Sequence, residues 1–149
     1  MKSMRILPPV YLLISIFLIF LLHLLLPVKY VFIPPWNLLG IPLLIVGAMV
    51  NVNADNTFRH AGTTLKPFQE ATVLVTKGLY RISGNPMYLG FVLVLLGLVV
   101  LLASLSPLLV VVLFGVLMEY EFISVEEKKL AEKFGGEWLD YKGKVPQWI

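Results

Sequence analysis

Four apolar stretches dominate this chain, at residues 8–26, 38–58, 86–103 and 107–123. Each is close to the roughly 20 residues a helix needs to cross a hydrocarbon core. Of 149 residues, 58% are hydrophobic and only 14% charged, against about one half and about one quarter in soluble domains. The chain is therefore expected to be an all-α integral membrane protein with four transmembrane helices, forming one membrane-embedded domain over residues 1–149. The first stretch follows Lys2 and Arg5 in the manner of a signal peptide. Its apolar run exceeds the usual ~7–15 residues and no small-x-small cleavage site follows, so it reads as a retained span.

Lys and Arg collect in cytoplasmic connections, which sets the orientation. Lys2 and Arg5 precede the first span, Arg59, Lys66, Lys77 and Arg81 lie between the second and third, and Lys128, Lys129, Lys133, Lys142 and Lys144 fill the tail. The first connection offers only Lys29, and residues 104–106 carry no charge. Both termini and the central connection are thus expected in the cytoplasm, with residues 124–149 forming a cytoplasmic helical cap. Every polar motif then falls on one face. The net charge of +3 is scattered among acids rather than gathered with aromatics, which argues against a nucleic-acid partner. The absence of Cys excludes disulfides, thiolate-bound metals and cysteine nucleophiles, and no metal ligands are assigned.

Pro27, Pro34 and Pro35 bracket a short external connection, with Tyr30 and Trp36 as interfacial aromatics. The turn at residues 104–107 is so short that the third and fourth spans must form an antiparallel hairpin. Gly40, Gly47, Gly90, Gly97 and Gly115 supply small surfaces for close helix approach. From Glu119 the helix is expected to continue through Lys133, because Val125, Leu130 and Phe134 keep an apolar side. Gly135 and Gly136 end it, and a short helix from Glu137 to about Lys142 presents Trp138 and Tyr141 before Pro146.

The second span turns polar toward its cytoplasmic end, with Asn51, Asn53, Asp55, Asn56, Arg59 and His60. Polar groups at such depth face the bundle interior or a wet cavity. Asp55 and Arg59 are four apart and can pair on one helix face; Asn51 and Asp55, also four apart, can instead line a cavity. His23 sits alone near the other end of the first span and reads as structural. Asn85-Pro86 has a mechanical meaning, since Pro at the first helical position loses no hydrogen bond and the residue before it is placed to cap the orphan amides. The third span thus begins with backbone donors and a positive dipole end, where an anionic group can sit. Tyr80 and Arg81 stand just before it, and Tyr88 lies two residues inside. Adjacent helical residues project about 100° apart, so of Glu126 and Glu127 one can enter a site while the other pairs with a cation such as Arg81 or Lys129.

Two stretches carry a family likeness. One is Gly78-Leu79-Tyr80-Arg81-Ile82-Ser83-Gly84-Asn85-Pro86-Met87-Tyr88-Leu89-Gly90, preceded by Gly62-Thr63-Thr64, Pro67 and Leu74-Val75-Thr76. The other is Glu126, Glu127, Leu130, Phe134, Gly135, Tyr141, Val145, Pro146 and Trp148. Together they resemble the integral-membrane methyltransferases grouped around isoprenylcysteine carboxyl methyltransferase and the phospholipid N-methyltransferases, which use S-adenosylmethionine. The resemblance covers roughly residues 56–149. It implies that Tyr80, Arg81, Asn85, Pro86, Tyr88, Leu89 and Gly90 form one wall of a cofactor site, that Glu126 and Glu127 form another, and that Tyr141 and Trp148 close over it. Glu126, Glu127, Arg81 and Asp55 are the candidates for catalytic roles. Three positions depart from the family pattern. Gly84 stands where most members carry Arg, Gln147 stands where Arg is common between Pro and Trp, and Asn85 replaces the His of the prenylcysteine enzymes while matching the Asn-Pro-Met-Tyr form of the phospholipid N-methyltransferases.

Methyl transfer from a sulfonium is an in-line displacement, so the protein must mainly align donor and acceptor and exclude water. With a carboxylate acceptor, opposite charges cancel in the transition state and a low dielectric helps. With an amine acceptor the proton must first leave, and Glu126, Glu127 or Asp55 is the candidate base. The resemblance implies a membrane lipid or isoprenoid-type acceptor entering sideways from the bilayer, and an active site facing the cytoplasm in a bacterial or archaeal-type inner membrane. Two other readings compete. An NADPH-dependent sterol-type reductase is similar in its Tyr-Arg-x-x-x-x-Pro-x-Tyr run, although those proteins are much larger. A non-catalytic membrane scaffold of the same fold is the other, with Gly84 and Gln147 as its only hints.

Overall fold

The computed structural model describes residues 8–25, 34–60, 74, 76 and 78–148, except the side chains of Phe58, Arg59 and His60. Lys2, Arg5, Leu26, Pro27, Lys29, Tyr30, residues 62–67, Val75, Lys77, Ile149 and the Asp55–Arg59 pairing lie outside the described residues. Among the described residues every regular element is helical: α1 (Pro8–Leu25), a 3₁₀ turn (Trp36–Leu39), α2 (Gly40–His60), a 3₁₀ turn (Gly78–Arg81), α3 (Pro86–Leu102), α4 (Leu108–Met118), a π turn (Glu119–Ile123), α5 (Ser124–Phe134) and α6 (Gly136–Lys144).

Among the described residues, three helical stretches are long and apolar enough to cross a membrane: Pro8–Leu25, Trp36–Thr57 and Leu108–Phe134. The remaining expected span, α3, has 17 residues, about 26 Å of rise against a core of ~30 Å. Ala103 stops it by adopting the left-handed conformation at φ 59°, with its amide donating to Val100 O. The outward faces are apolar, with Leu13, Phe17 and Leu24 on α1 and Ile45, Met49 and Val52 on α2 exposed, as a bundle surrounded by lipid requires.

α2 and α3 form the tightest seam of the fold, and glycine spacing explains it. A Cβ on Gly47 would stand 2.8 Å from Gly90 O, and one on Gly97 would stand 2.7 Å from Gly40 O. The pairs 40 with 97 and 47 with 90 descend one helix as they climb the other, so the two run antiparallel. Side-chain amides continue the seam at either end, with Asn37 Nδ2 donating to Leu101 O at 3.2 Å and Asn51 Nδ2 donating to Met87 O at 3.0 Å. Without water as a competitor, such close backbone approach and such bonds hold helices together where the hydrophobic effect cannot. Gly115, expected to pack in the same way, does not: a Cβ there would meet nothing within 4 Å.

Leu108–Phe134 is 27 residues long, about 40 Å, and so outruns the ~30 Å core. Leu108–Met118 is wholly uncharged whereas Ser124–Phe134 carries Glu126, Glu127, Lys128, Lys129, Glu132 and Lys133. Charged residues thus begin in the π turn and gather in α5, beyond the uncharged Leu108–Met118. Between them lies the π turn, closed by Ser124 Oγ donating to Glu119 O at 2.9 Å. Gly135, at φ 55°, turns the chain back into α6. There Trp138 and Tyr141 are buried with Tyr80 and Ala54, which docks the tail helix on α2 and the turn before α3.

Candidate functional site

The beginning of α3 and the beginning of α5 meet through one short bond. Tyr88 Oη donates to Glu126 Oε1 at 2.7 Å. Tyr88 is buried in the main core, with its ring stacked 6.3 Å from Phe122 and set edge-on to Phe91 at 6.4 Å, so its hydroxyl has little freedom in where it points. Burial pushes the Glu126 carboxyl up to about 7, against the pull of the Tyr88 hydrogen bond and the Lys129 charge and with the push of Glu127. A carboxyl poised near neutrality in a partly dry setting can receive a cation or accept a proton.

Of the two glutamates, Glu126 turns inward and Glu127 turns to the tail helix, where Lys142 Nζ lies 3.6 Å from its Oε2. The cation that Glu127 meets on the tail helix is thus Lys142. Arg81 ends the 3₁₀ turn with its side chain exposed. Tyr80, one residue earlier, is buried, and its hydroxyl is pushed far up by burial first and then by Glu126, Tyr141 and Asp55. Those three groups come from α5, α6 and α2, so each of these helices bears electrostatically on Tyr80. Tyr141 Oη donates to Tyr80 O at 2.6 Å, and burial pushes its hydroxyl up to about 12, so it stays a donor at neutral pH.

The last described residues cross the start of α3 as a strap. Gly84 N donates to Pro146 O at 2.9 Å, Asn85 Nδ2 donates to Gln147 O at 3.0 Å, and Ser83 Oγ donates to the same oxygen at 3.5 Å. Asn85 was expected to cap α3. It makes no side-chain cap bond; its Nδ2 is turned to the strap, and its own N–H donates to Ser83 Oγ at 3.1 Å. Among the described residues, Asn85 thus leaves the start of α3 without a cap from its own side chain. Pro86 is fully buried and Leu89 half-buried. Gly90 faces α2, since a Cβ there would stand 2.8 Å from Gly47 O and 3.1 Å from Asn51 N; it is a packing position. Asn51 is likewise engaged in the seam.

Glu119 is the residue that sequence reasoning missed. Gln147 Nε2 donates to its Oε1 at 2.8 Å and Trp148 Nε1 donates to its Oε2 at 3.2 Å. A signal existed: Glu119 is the first acid within the fourth apolar stretch and lies two helical turns ahead of Glu126. At the position where Arg is common in the resembled family, Gln147 reaches a carboxylate as a neutral donor. At Gly84 the strap passes close, with Pro146 O 3.4 Å from where a Cβ would be.

These groups suit a small molecule that is cationic at one point and anionic at another. Glu126 can face a cation, the start of α3 can face a carboxylate, and the aromatic residues around them can exclude water. Among the described residues no group of three or more His, Cys, Asp or Glu could hold a metal ion.

A sequence profile of the phospholipid methyltransferase family matches residues 36–137. The protein-S-isoprenylcysteine O-methyltransferase of Saccharomyces cerevisiae is 37% identical over 113 residues, which cover 73% of this chain and 46% of that protein. The solved structure of the eukaryotic intramembrane Ras methyltransferase, isoprenylcysteine carboxyl methyltransferase without a monobody, superposes with a TM-score of 0.70 at 22% identity, over 95% of this chain and 51% of that one. The chain thus spans about half the length of each of these two relatives.

Proposed function

The chain belongs to the phospholipid methyltransferase family, and from that premise we propose that it is an S-adenosylmethionine-dependent methyltransferase acting on a lipid or isoprenoid-type acceptor, carboxylate or amine, at the cytoplasmic face of the membrane. The observation that carries this reading is the 2.7 Å bond between Tyr88 and Glu126, which puts a desolvated carboxyl beside the start of α3. In this reading the protein is one domain over residues 1–149 with four spans, α3 being the short fourth one held against α2. Both termini and the cap lie in the cytoplasm, in a bacterial or archaeal-type inner membrane.

S-adenosylmethionine supplies the methyl group on a cationic sulfonium. Glu126, its rotamer fixed by Tyr88, holds the ammonium group, a cation that S-adenosylhomocysteine also carries. The α3 amides hold the carboxylate end, and the rings of Tyr80, Tyr88, Tyr141 and Trp148 exclude water. Exclusion matters because electrostatic stabilisation strengthens as the local dielectric falls. Arg81 stands at the rim as a fixed cation, and Glu127 holds α6 in place through Lys142. For an amine acceptor, Glu126 or Asp55 takes the proton before transfer.

Isothermal titration in detergent with S-adenosylhomocysteine and with NADPH separates the readings, followed by tritiated methyl incorporation into total lipid extract and prenylcysteine analogues. Binding of S-adenosylhomocysteine with labelled lipid or prenylcysteine supports the proposal. Binding of NADPH alone supports a reductase, and binding of neither supports a scaffold.

A further inference from the structure

Glu119 belongs to neither motif, yet three parts of the chain meet on it. Its two carboxylate oxygens serve Gln147 and Trp148 separately, and its carbonyl accepts from Ser124 Oγ inside the π turn. Inserted π turns shift the helical face that follows and recur at functional sites. Here the turn begins at Glu119 and ends three residues before Glu126, so it helps set the helical face from which Glu126 reaches Tyr88.

The strap it grips is fastened at its other edge to the loop before α3, through Gly84 and Asn85. The chain therefore closes a circuit: loop, strap, Glu119, π turn, Glu126, Tyr88, and back along α3 to the loop. Trp148 packs against the core cluster that contains Tyr88 and Phe122, while Val145 packs against the cluster that contains Tyr80 and Tyr141. Both donors to Glu119 are neutral. Two directional bonds, rather than a charge pair that tolerates many geometries, fix the strap in one place.

We propose that Glu119 is a positioning residue whose grip on Gln147 and Trp148 keeps the carboxy-terminal strap closed over the Tyr88–Glu126 pair, and thereby sets the affinity for the cationic cofactor. The inference rests on the methyl-transfer reading. Glu119→Gln leaves one acceptor oxygen for two donors, so the S-adenosylhomocysteine dissociation constant and the KM for S-adenosylmethionine rise about tenfold, with kcat at saturating cofactor changed by less than about twofold. Combining Glu119→Gln with Gln147→Glu exchanges donor and acceptor, and brings both constants back to within about threefold of the original.

The second readout needs no ligand. With 5-fluorotryptophan at the three Trp positions, the ¹⁹F resonance assigned by Trp148→Phe moves in Glu119→Gln and returns in the exchanged pair. Unchanged affinity in Glu119→Gln overturns the proposal, as does an affinity that stays low in the exchanged pair while the Trp148 resonance has returned. Should the exchanged pair fail to fold, Glu119→Ala decides: a moved Trp148 resonance with weakened binding supports the grip, and an unmoved resonance or unweakened binding overturns it. If the unaltered protein binds no S-adenosylhomocysteine, the methyl-transfer reading itself fails and the claim about cofactor affinity falls with it; the Trp148 resonance then reports the strap alone.

Discussion

Tyr88 Oη reaches Glu126 Oε1 across 2.7 Å and 38 residues of chain, and this bond is where the first turn of α3 recognises the first turn of α5. Tyr88→Phe keeps the ring on Phe122 and removes only the donor. A hydrogen bond to a charged group contributes about 1.5–3 kcal/mol, so S-adenosylhomocysteine binding should weaken by roughly one to two orders of magnitude. Glu126→Gln should weaken it as well, by removing the charge that faces the cation. In calorimetry the double variant should lose less than the sum of the two, since both act on one pair. Strict additivity would mean that the two side chains act on binding independently rather than as a pair.

The Glu126 carboxyl also gives a pH signature. Its folded value of about 7 lies above the ordinary 4.5, so the fold favours the protonated form. That contribution to stability is fully present below about pH 4.5 and is lost as pH rises through about 7, on the order of 3 kcal/mol over the whole excursion. Thermal unfolding in detergent should show a melting temperature that falls between pH 5 and 8, and a flatter profile in Glu126→Gln. Cofactor affinity should run the other way, rising through about pH 7 as the carboxyl ionises.

Charge pattern and spacing made much of this legible in advance, and where they did not, geometry was decided between residues far apart. The charged, amphipathic character of α5, its stop at Gly135 and the burial of Trp138 and Tyr141 follow from local composition. That only one of Glu126 and Glu127 could turn inward follows from helical projection. Which one turned inward does not, because Tyr88 and Lys142 make the choice from other helices. The π turn left no mark in the sequence, since a one-residue register shift changes no side-chain type. Glu119 looked like an ordinary boundary acid because its partners lie 28 and 29 residues further on. Gly115 looked like Gly47, and only the neighbouring helix tells them apart.

That last pair can be tested directly. Gly47→Ala places a methyl 2.8 Å from both Gly90 O and Val94 N, backbone atoms that cannot rotate away. Overpacking of this kind costs about 1–3 kcal/mol. Gly115→Ala meets nothing within 4 Å and should gain up to ~1 kcal/mol from helix propensity. Thermal unfolding of both variants in one detergent should therefore move in opposite directions. A common direction would mean that the α2–α3 seam is looser than its geometry.

Asn85 separates a cap from a tether. Were it the N-cap of α3, Asn85→Asp would be neutral or better, because Asp caps as well as Asn, and Asn85→Ala would cost about 1 kcal/mol. As a tether, its Nδ2 donates to Gln147 O. Asn85→Ala then removes one bond, about 0.5–1.5 kcal/mol, whereas Asn85→Asp sets an acceptor oxygen against a carbonyl oxygen and pushes the strap away. Asp should thus be the more damaging substitution, both in melting temperature and in S-adenosylhomocysteine affinity. The reverse order would return Asn85 to the role its place before Pro86 suggests, and would leave the strap held by Gly84, Ser83 and Glu119 alone.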